Sequence, residues 1–64
     1  MLAENVKQYR TKMGLSQDQL ARKAGITYST LTKLESGVNQ NPKVKTLQQL
    51  AKALRVTLND LMKE

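Results

Sequence analysis

The chain has 64 residues, with eleven Lys and Arg against five Asp and Glu, a net charge of +6, and no Cys or His. A chain of this length makes one small domain that buries about 60% of the surface its unfolded form exposes, and without thiol or imidazole it lacks a disulfide, the ordinary zinc ligands and the commonest catalytic base. The positive balance points to a polyanion, either nucleic acid or an acidic membrane surface, but no window reaches the ~18 consecutive apolar residues of a membrane span and no apolar signal-peptide run opens the chain.

Leu2, Val6, Tyr9, Arg10 and Met13 recur at helical spacing and predict a first helix that Gly14 ends. Ser16, with Gln19 three residues on, predicts a capping box at the start of a second helix that runs to about Ala24. Thr27 caps a third helix, in which Leu31 and Leu34 face inward, Thr30 is half buried and Gly37 stops the chain. Residues 38 to 43 read as a loop, because Pro42 denies Asn41 an easy helical conformation. Val44, Leu47, Leu50, Ala51 and Leu54 mark a fourth helix over about 44–54. Thr57 with Asp60 forms a second capping-box pattern, and Leu58, Leu61 and Met62 form the apolar face of a last short helix over about 58–63. No alternating β-branched run suggests a strand, so the fold class is all-α, a compact five-helix single domain over 1–64.

Within it, residues 16–36 form two short helices joined by a tight turn. Counted from Gln17, the apolar residues Leu20, Ala24, Ile26, Leu31 and Leu34 fall at places four, eight, ten, fifteen and eighteen. Ala21 at place five is small where the second helix crosses the first, and Gly25 at place nine supplies the positive φ that turns the chain. This is the spacing of a helix-turn-helix that reads DNA, formed by helices 2 and 3.

The chain resembles the lambda-repressor-like, Cro-type (XRE) helix-turn-helix family over essentially every residue. The resemblance rests on Leu15 to Ala21, Gly25-Ile26-Thr27, Leu31 to Gly37, Thr46 to Ala51 and Ala53 to Leu61, in that order and spacing. It implies a five-helix domain that dimerises and binds operator DNA in the major groove. Two residues depart from the family's pattern. Lys43 stands where a small capping residue often opens the fourth helix, and Arg55 stands where Gly often precedes the fifth. A residue with a Cβ at place 55 must take left-handed geometry or end the helix differently.

In a helix-turn-helix the N-terminal part of the second helix enters the groove, which makes Tyr28, Ser29, Thr32 and Lys33 the candidate base contacts. Lys33 can donate to guanine O6 and N7, Ser29 and Thr32 suit several bases, and Tyr28 suits a base or a phosphate equally. None is the bidentate Gln, Asn or Arg from which an operator could be named. Candidate phosphate contacts are Gln17, Thr27, Asn39, Gln40, Asn41 and Lys43. The resemblance places a phosphate at Gln17, where the helix N-terminus also favours an anion. Lys7, Arg22, Lys23, Lys45 and Lys52 read as general surface charge that steers the protein toward DNA.

Arg10 lies on the apolar face of the first helix, an odd place for a guanidinium, and the family often pairs such an arginine with a glutamate at place 35. An Arg10–Glu35 ion pair is therefore expected, with a geometric role, because buried pairs often add little net stability. The family's two-fold contact lies at the C-terminal end, so Val56, Leu58, Leu61 and Met62 are the candidate dimer interface. The expected function is a small dimeric repressor reading a palindromic operator. An antitoxin or another partner-binding protein, and a restriction-modification controller, are alternatives on the same fold. No cofactor, metal, membrane contact or small-molecule effector is expected, enzymatic activity is not, and a cytoplasmic location is.

Overall fold

The computed structural model describes all 64 residues, as five helices with no strand: α1 (Leu2–Lys12), α2 (Gln17–Ala24), α3 (Tyr28–Glu35), α4 (Val44–Leu54) and α5 (Leu58–Met62). Three of the five helix starts are set by a side-chain cap. Ser16 accepts from the Gln19 amide while the Gln19 side chain accepts from the Ser16 amide, so α2 begins on a complete capping box. Thr27 Oγ1 accepts from the Thr30 amide and caps α3. Thr57 and Asp60 form the second complete box, which starts α5. Only α1 and α4 begin without a side-chain cap, on Met1 and Lys43.

Val6, Leu20, Leu31, Leu34, Leu50 and Leu61 are fully enclosed and form the centre of the core, one or two from each helix. Ala21 and Ala24 are buried on α2, and Ala51, Ala53 and Leu54 complete the inner face of α4. α1 lies against α3 and α5, while α2 lies against α3 and α4, so α3 is held from both sides with one face left to solvent. The five-residue α5 is fastened by more than Leu61. Asn5 Nδ2 on α1 donates to the Leu61 carbonyl at 2.8 Å and also to the Lys63 carbonyl.

Three sequence expectations change. Val44 occupies the first turn of α4 and is exposed, since the helix turns its apolar face inward only from Leu47 onward. Met13 lies past the last residue of α1 and is partly exposed. α5 closes at Met62, one residue short, because Lys63 is extended. No helix is long and apolar enough to cross a membrane.

Candidate nucleic-acid interface

The candidate surface is built on the turn between α2 and α3. Gly25 takes φ +74°, and the amides of Gly25 and Ile26 bond back to the carbonyls of Arg22 and Ala21. The chain thus leaves α2 and reaches Thr27, the cap of α3, within two residues. A Cβ at residue 25 would meet Gln49 Nε2 at an ordinary 3.5 Å, so it is the positive φ, not crowding, that calls for glycine there.

With Leu31 and Leu34 committed to the core, helical spacing leaves Tyr28, Ser29, Thr32 and Lys33 along the opposite side of α3. Tyr28, Ser29 and Lys33 are exposed, and Tyr28 keeps 53% of its surface. Thr32 is half-buried, and its hydroxyl donates to the Ser29 carbonyl at 3.0 Å. It therefore presents its methyl and one oxygen acceptor rather than a free donor.

Beneath this stripe lies a polar chain. Arg10 Nε donates to Glu35 Oε2 at 2.8 Å and Nη2 to Oε1 at 3.1 Å, a two-pronged ion pair with side chains only 12% and 2% exposed. Arg10 Nη1 also donates to the Leu15 carbonyl, which ties the loop before α2 to the same guanidinium. Glu35 Oε1 accepts a further bond from Gln17 Nε2 at 3.1 Å, and Gln17 Oε1 accepts from the Tyr28 hydroxyl at 3.4 Å. The two ends of α3, the start of α2 and the last turn of α1 are thus joined through side chains. No buried side-chain polar atom lacks a partner.

The candidate phosphate contacts separate into groups. Gln17 is half-buried and its side chain is engaged with Glu35 and Tyr28, so what faces outward at the head of α2 is backbone N–H and the hydroxyl of Ser16. Thr27 is exposed, but its oxygen is used by the cap and by Thr30 Oγ1 at 2.7 Å. Asn39 Oδ1 accepts from the Asn41 amide and its own amide bonds the Lys33 carbonyl, so the α3–α4 loop is a tied turn with Gln40, Asn41 and Lys43 exposed around it. Asn39 and Gln40 also border a groove of about 420 Å³ with Met1, Leu2, Leu34 and Met62, next to the candidate dimer surface.

On that surface Met62 is 52% exposed and Val56 and Leu58 are half-buried. Leu61 has no exposed surface at all, so it belongs to the monomer core and not to a partner contact. Helical period alone did not separate it from its neighbours. A second basic region surrounds a cleft of about 530 Å³ between the C-terminal ends of α2 and α4, with Arg22, Lys23, Lys52 and Arg55. Cations there offset the partial negative charge of two helix C-termini. Arg22 is also paired with Asp18 at 3.1 Å. No group of acidic residues is placed to hold a metal ion.

The model of the family described as Helix-turn-helix matches residues 6–61. The HTH-type transcriptional regulator SinR of Bacillus subtilis is 34% identical over 64 residues, covering 100% of this chain and 58% of that protein. Among solved structures, SinR described as the master regulator for biofilm formation in complex with DNA superposes with a TM-score of 0.95 at 33% identity, over 98% of this chain and 100% of that one. SinR in a complex with the SinI protein superposes with a TM-score of 0.96 at 34% identity, over 100% of this chain and 62% of that one. The chain therefore spans little more than half the length of the whole SinR regulator.

Proposed function

The chain belongs to the helix-turn-helix family in its lambda-repressor-like form, and on that premise we propose that it binds double-stranded DNA sequence-specifically as a transcriptional regulator. The observation that carries the reading is the outward stripe of α3, Tyr28, Ser29, Thr32 and Lys33, on a helix whose inward face is locked in the core and whose two ends are fixed by one polar chain. A helix so held can present side chains to base edges without a large entropic loss on binding. Lys33 and the Thr32 methyl serve the base edges, while the N–H groups at the head of α2, with Gln40, Asn41 and Lys43 in the next loop, serve the phosphates on either side. Asn39 shapes that loop. The net charge of +6 makes the binding salt-sensitive.

The protein acts as a homodimer through Met62, Val56 and Leu58, so that two recognition helices about 34 Å apart read a palindrome, one turn of DNA apart. The groove beside Met62, with Met1 and Leu2, gives a partner subunit apolar surface to cover. The role is repression by occupancy, in the cytoplasm where the DNA lies, and it is one of binding rather than catalysis. SinR has been solved with the SinI protein, and this supports a second reading in which a protein partner controls the regulator.

In-vitro selection with the 64-residue protein against a random duplex library, at ~150 mM salt where exposed charges are screened beyond about 8 Å, tests the proposal. Enrichment of a palindrome with half-sites one turn apart is expected. Salt-sensitive binding to every duplex with no enrichment would contradict it and favour the partner-controlled reading.

A further inference from the structure

The polar chain under α3 has a direction. Glu35 is at its buried end, and a carboxylate only accepts hydrogen bonds; here it takes two from Arg10 and one from Gln17. The Gln17 amide must therefore turn its NH2 group inward, which leaves Oε1 toward Tyr28. Turning the amide over would set an oxygen against the carboxylate at a site where Glu35 is 2% exposed. An amide oxygen cannot donate, so across the 3.4 Å between them the Tyr28 phenol gives its single hydrogen to Gln17. With its hydrogen committed, the phenol oxygen is left as an acceptor on a side chain that is 53% exposed.

We infer that Tyr28 is a specificity-determining residue that acts on DNA as a hydrogen-bond acceptor, with its polarity set through Gln17 by the buried Arg10–Glu35 pair. The inference rests on the DNA-binding reading above. In the major groove only two groups donate to an outward acceptor, the N6 amine of adenine and the N4 amine of cytosine. Guanine O6 and N7, thymine O4 and every phosphate oxygen are acceptors, and would meet the phenol lone pair to lone pair. Tyr28 thus favours adenine or cytosine on the strand it faces and is unsuited to a phosphate. The energetic lever is a polar mismatch, since an operator with guanine or thymine there obliges the phenol to abandon Gln17 or leave a desolvated acceptor unpaired.

The test is parallel in-vitro selection with the wild type, Tyr28→Phe and Gln17→Met, each first shown to keep its helical circular dichroism. The position that Tyr28 reads is the one whose preference changes in Tyr28→Phe. It should hold adenine or cytosine in the wild type and lose its preference in the Phe protein. In Gln17→Met, where the phenol is free to rotate, it should admit guanine and thymine. Replacing adenine by purine, or cytosine by pyrimidin-2-one, at that position removes only the exocyclic amine. It should cost the wild type about tenfold in affinity and leave the Phe protein nearly unaffected.

Guanine or thymine at that position in the wild type would overturn the inference. So would an unchanged preference in Tyr28→Phe, or a loss of affinity in that variant that is uniform over all sequences, the mark of a phosphate contact. If the wild type enriches no sequence at all, it is the DNA-reading proposal that fails, and this inference falls with it.

Discussion

The ends of α2 and α4 are built alike from different residues. At the first, Gly25 takes φ +74°, and the amides of residues 25 and 26 bond to the carbonyls of Arg22 and Ala21. At the second, Arg55 takes φ +59°, and residues 55 and 56 bond to Lys52 and Ala51 in the same pattern. The apolar residue that follows, Ile26 or Val56, is half-buried against the core in each case. The hydrogen bonds are equivalent, but a residue with a Cβ in the left-handed region costs roughly 1 kcal/mol that glycine does not.

The contrast extends to the helix starts. Both helices of the reading unit have side-chain caps, while α4 opens on Lys43 without one. The unit of α2 and α3 is locally relaxed and cross-linked by polar side chains. Behind it, α4 opens without a cap and ends on the strained Arg55, and Leu50 and Leu54 hold it in the core. Reading DNA needs α3 in one orientation, and directional bonds provide that better than apolar contacts do.

Removing one member of the buried pair should break this division most severely. Glu35→Ala strands the Arg10 guanidinium, 12% exposed, and should cost about 3–5 kcal/mol in a denaturant titration. Arg10→Met should weaken the fold or the DNA affinity, whereas Asp18→Ala, which breaks the exposed pair with Arg22, should change stability by less than about 1 kcal/mol. In the supporting half, Leu61→Ala opens a cavity in the core and should cost about 2–5 kcal/mol. Its neighbour Met62→Ala should leave the monomer's stability nearly unchanged and weaken self-association in sedimentation equilibrium.

The two left-handed residues should respond to substitution with opposite signs. Gly25→Ala should destabilise, and Arg55→Gly stabilise, each by roughly 1 kcal/mol, read as opposite shifts in thermal midpoint. Lys43→Ser should supply the missing cap of α4 and add about 0.5–1 kcal/mol. If Lys43 also holds a phosphate, the same variant should lower the slope of log affinity against log salt by about one.

The smallest effect concerns α5. The Asp60 carboxyl sits below the usual carboxylate range because the Thr57 backbone amide, and then the Thr57 hydroxyl, hydrogen-bond to it. A carboxyl more acidic in the folded than in the unfolded chain stabilises at neutral pH, and that contribution disappears as pH falls through the folded value. Fraying of α5, followed by the amide signals of residues 58–62, should increase on acidification in the wild type. Asp60→Asn should remove that dependence.

Much of this arrangement was legible in the residues. Capping boxes declare themselves as Ser16 with Gln19 and Thr57 with Asp60, because the pattern is local and chemical. An arginine on the apolar side of α1 is out of place alone; the family resemblance names Glu35 as its partner, and the structure contains the pair. Gln17 was harder to read. A polar residue at a helix start looks like an anion contact, and nothing in a one-dimensional pattern reveals that its amide bridges Glu35 and Tyr28 from another helix. Asn5 carries no local signal either, since its partners are carbonyls 56 and 58 residues away. Leu58, Leu61 and Met62 look equivalent in a five-residue helix, and only packing against α1 and α4 distinguishes the one that is fully enclosed.

The proposed DNA contact is the face built from the head of α2, the outward side of α3 and the loop before α4. Amide chemical-shift mapping of the protein titrated with duplex DNA at ~150 mM salt tests it directly. The largest shifts should fall at 16–19, 27–33 and 39–43. Shifts concentrated instead around Arg22, Lys23, Lys52 and Arg55 would place the DNA on the basic cleft between the ends of α2 and α4 and contradict it.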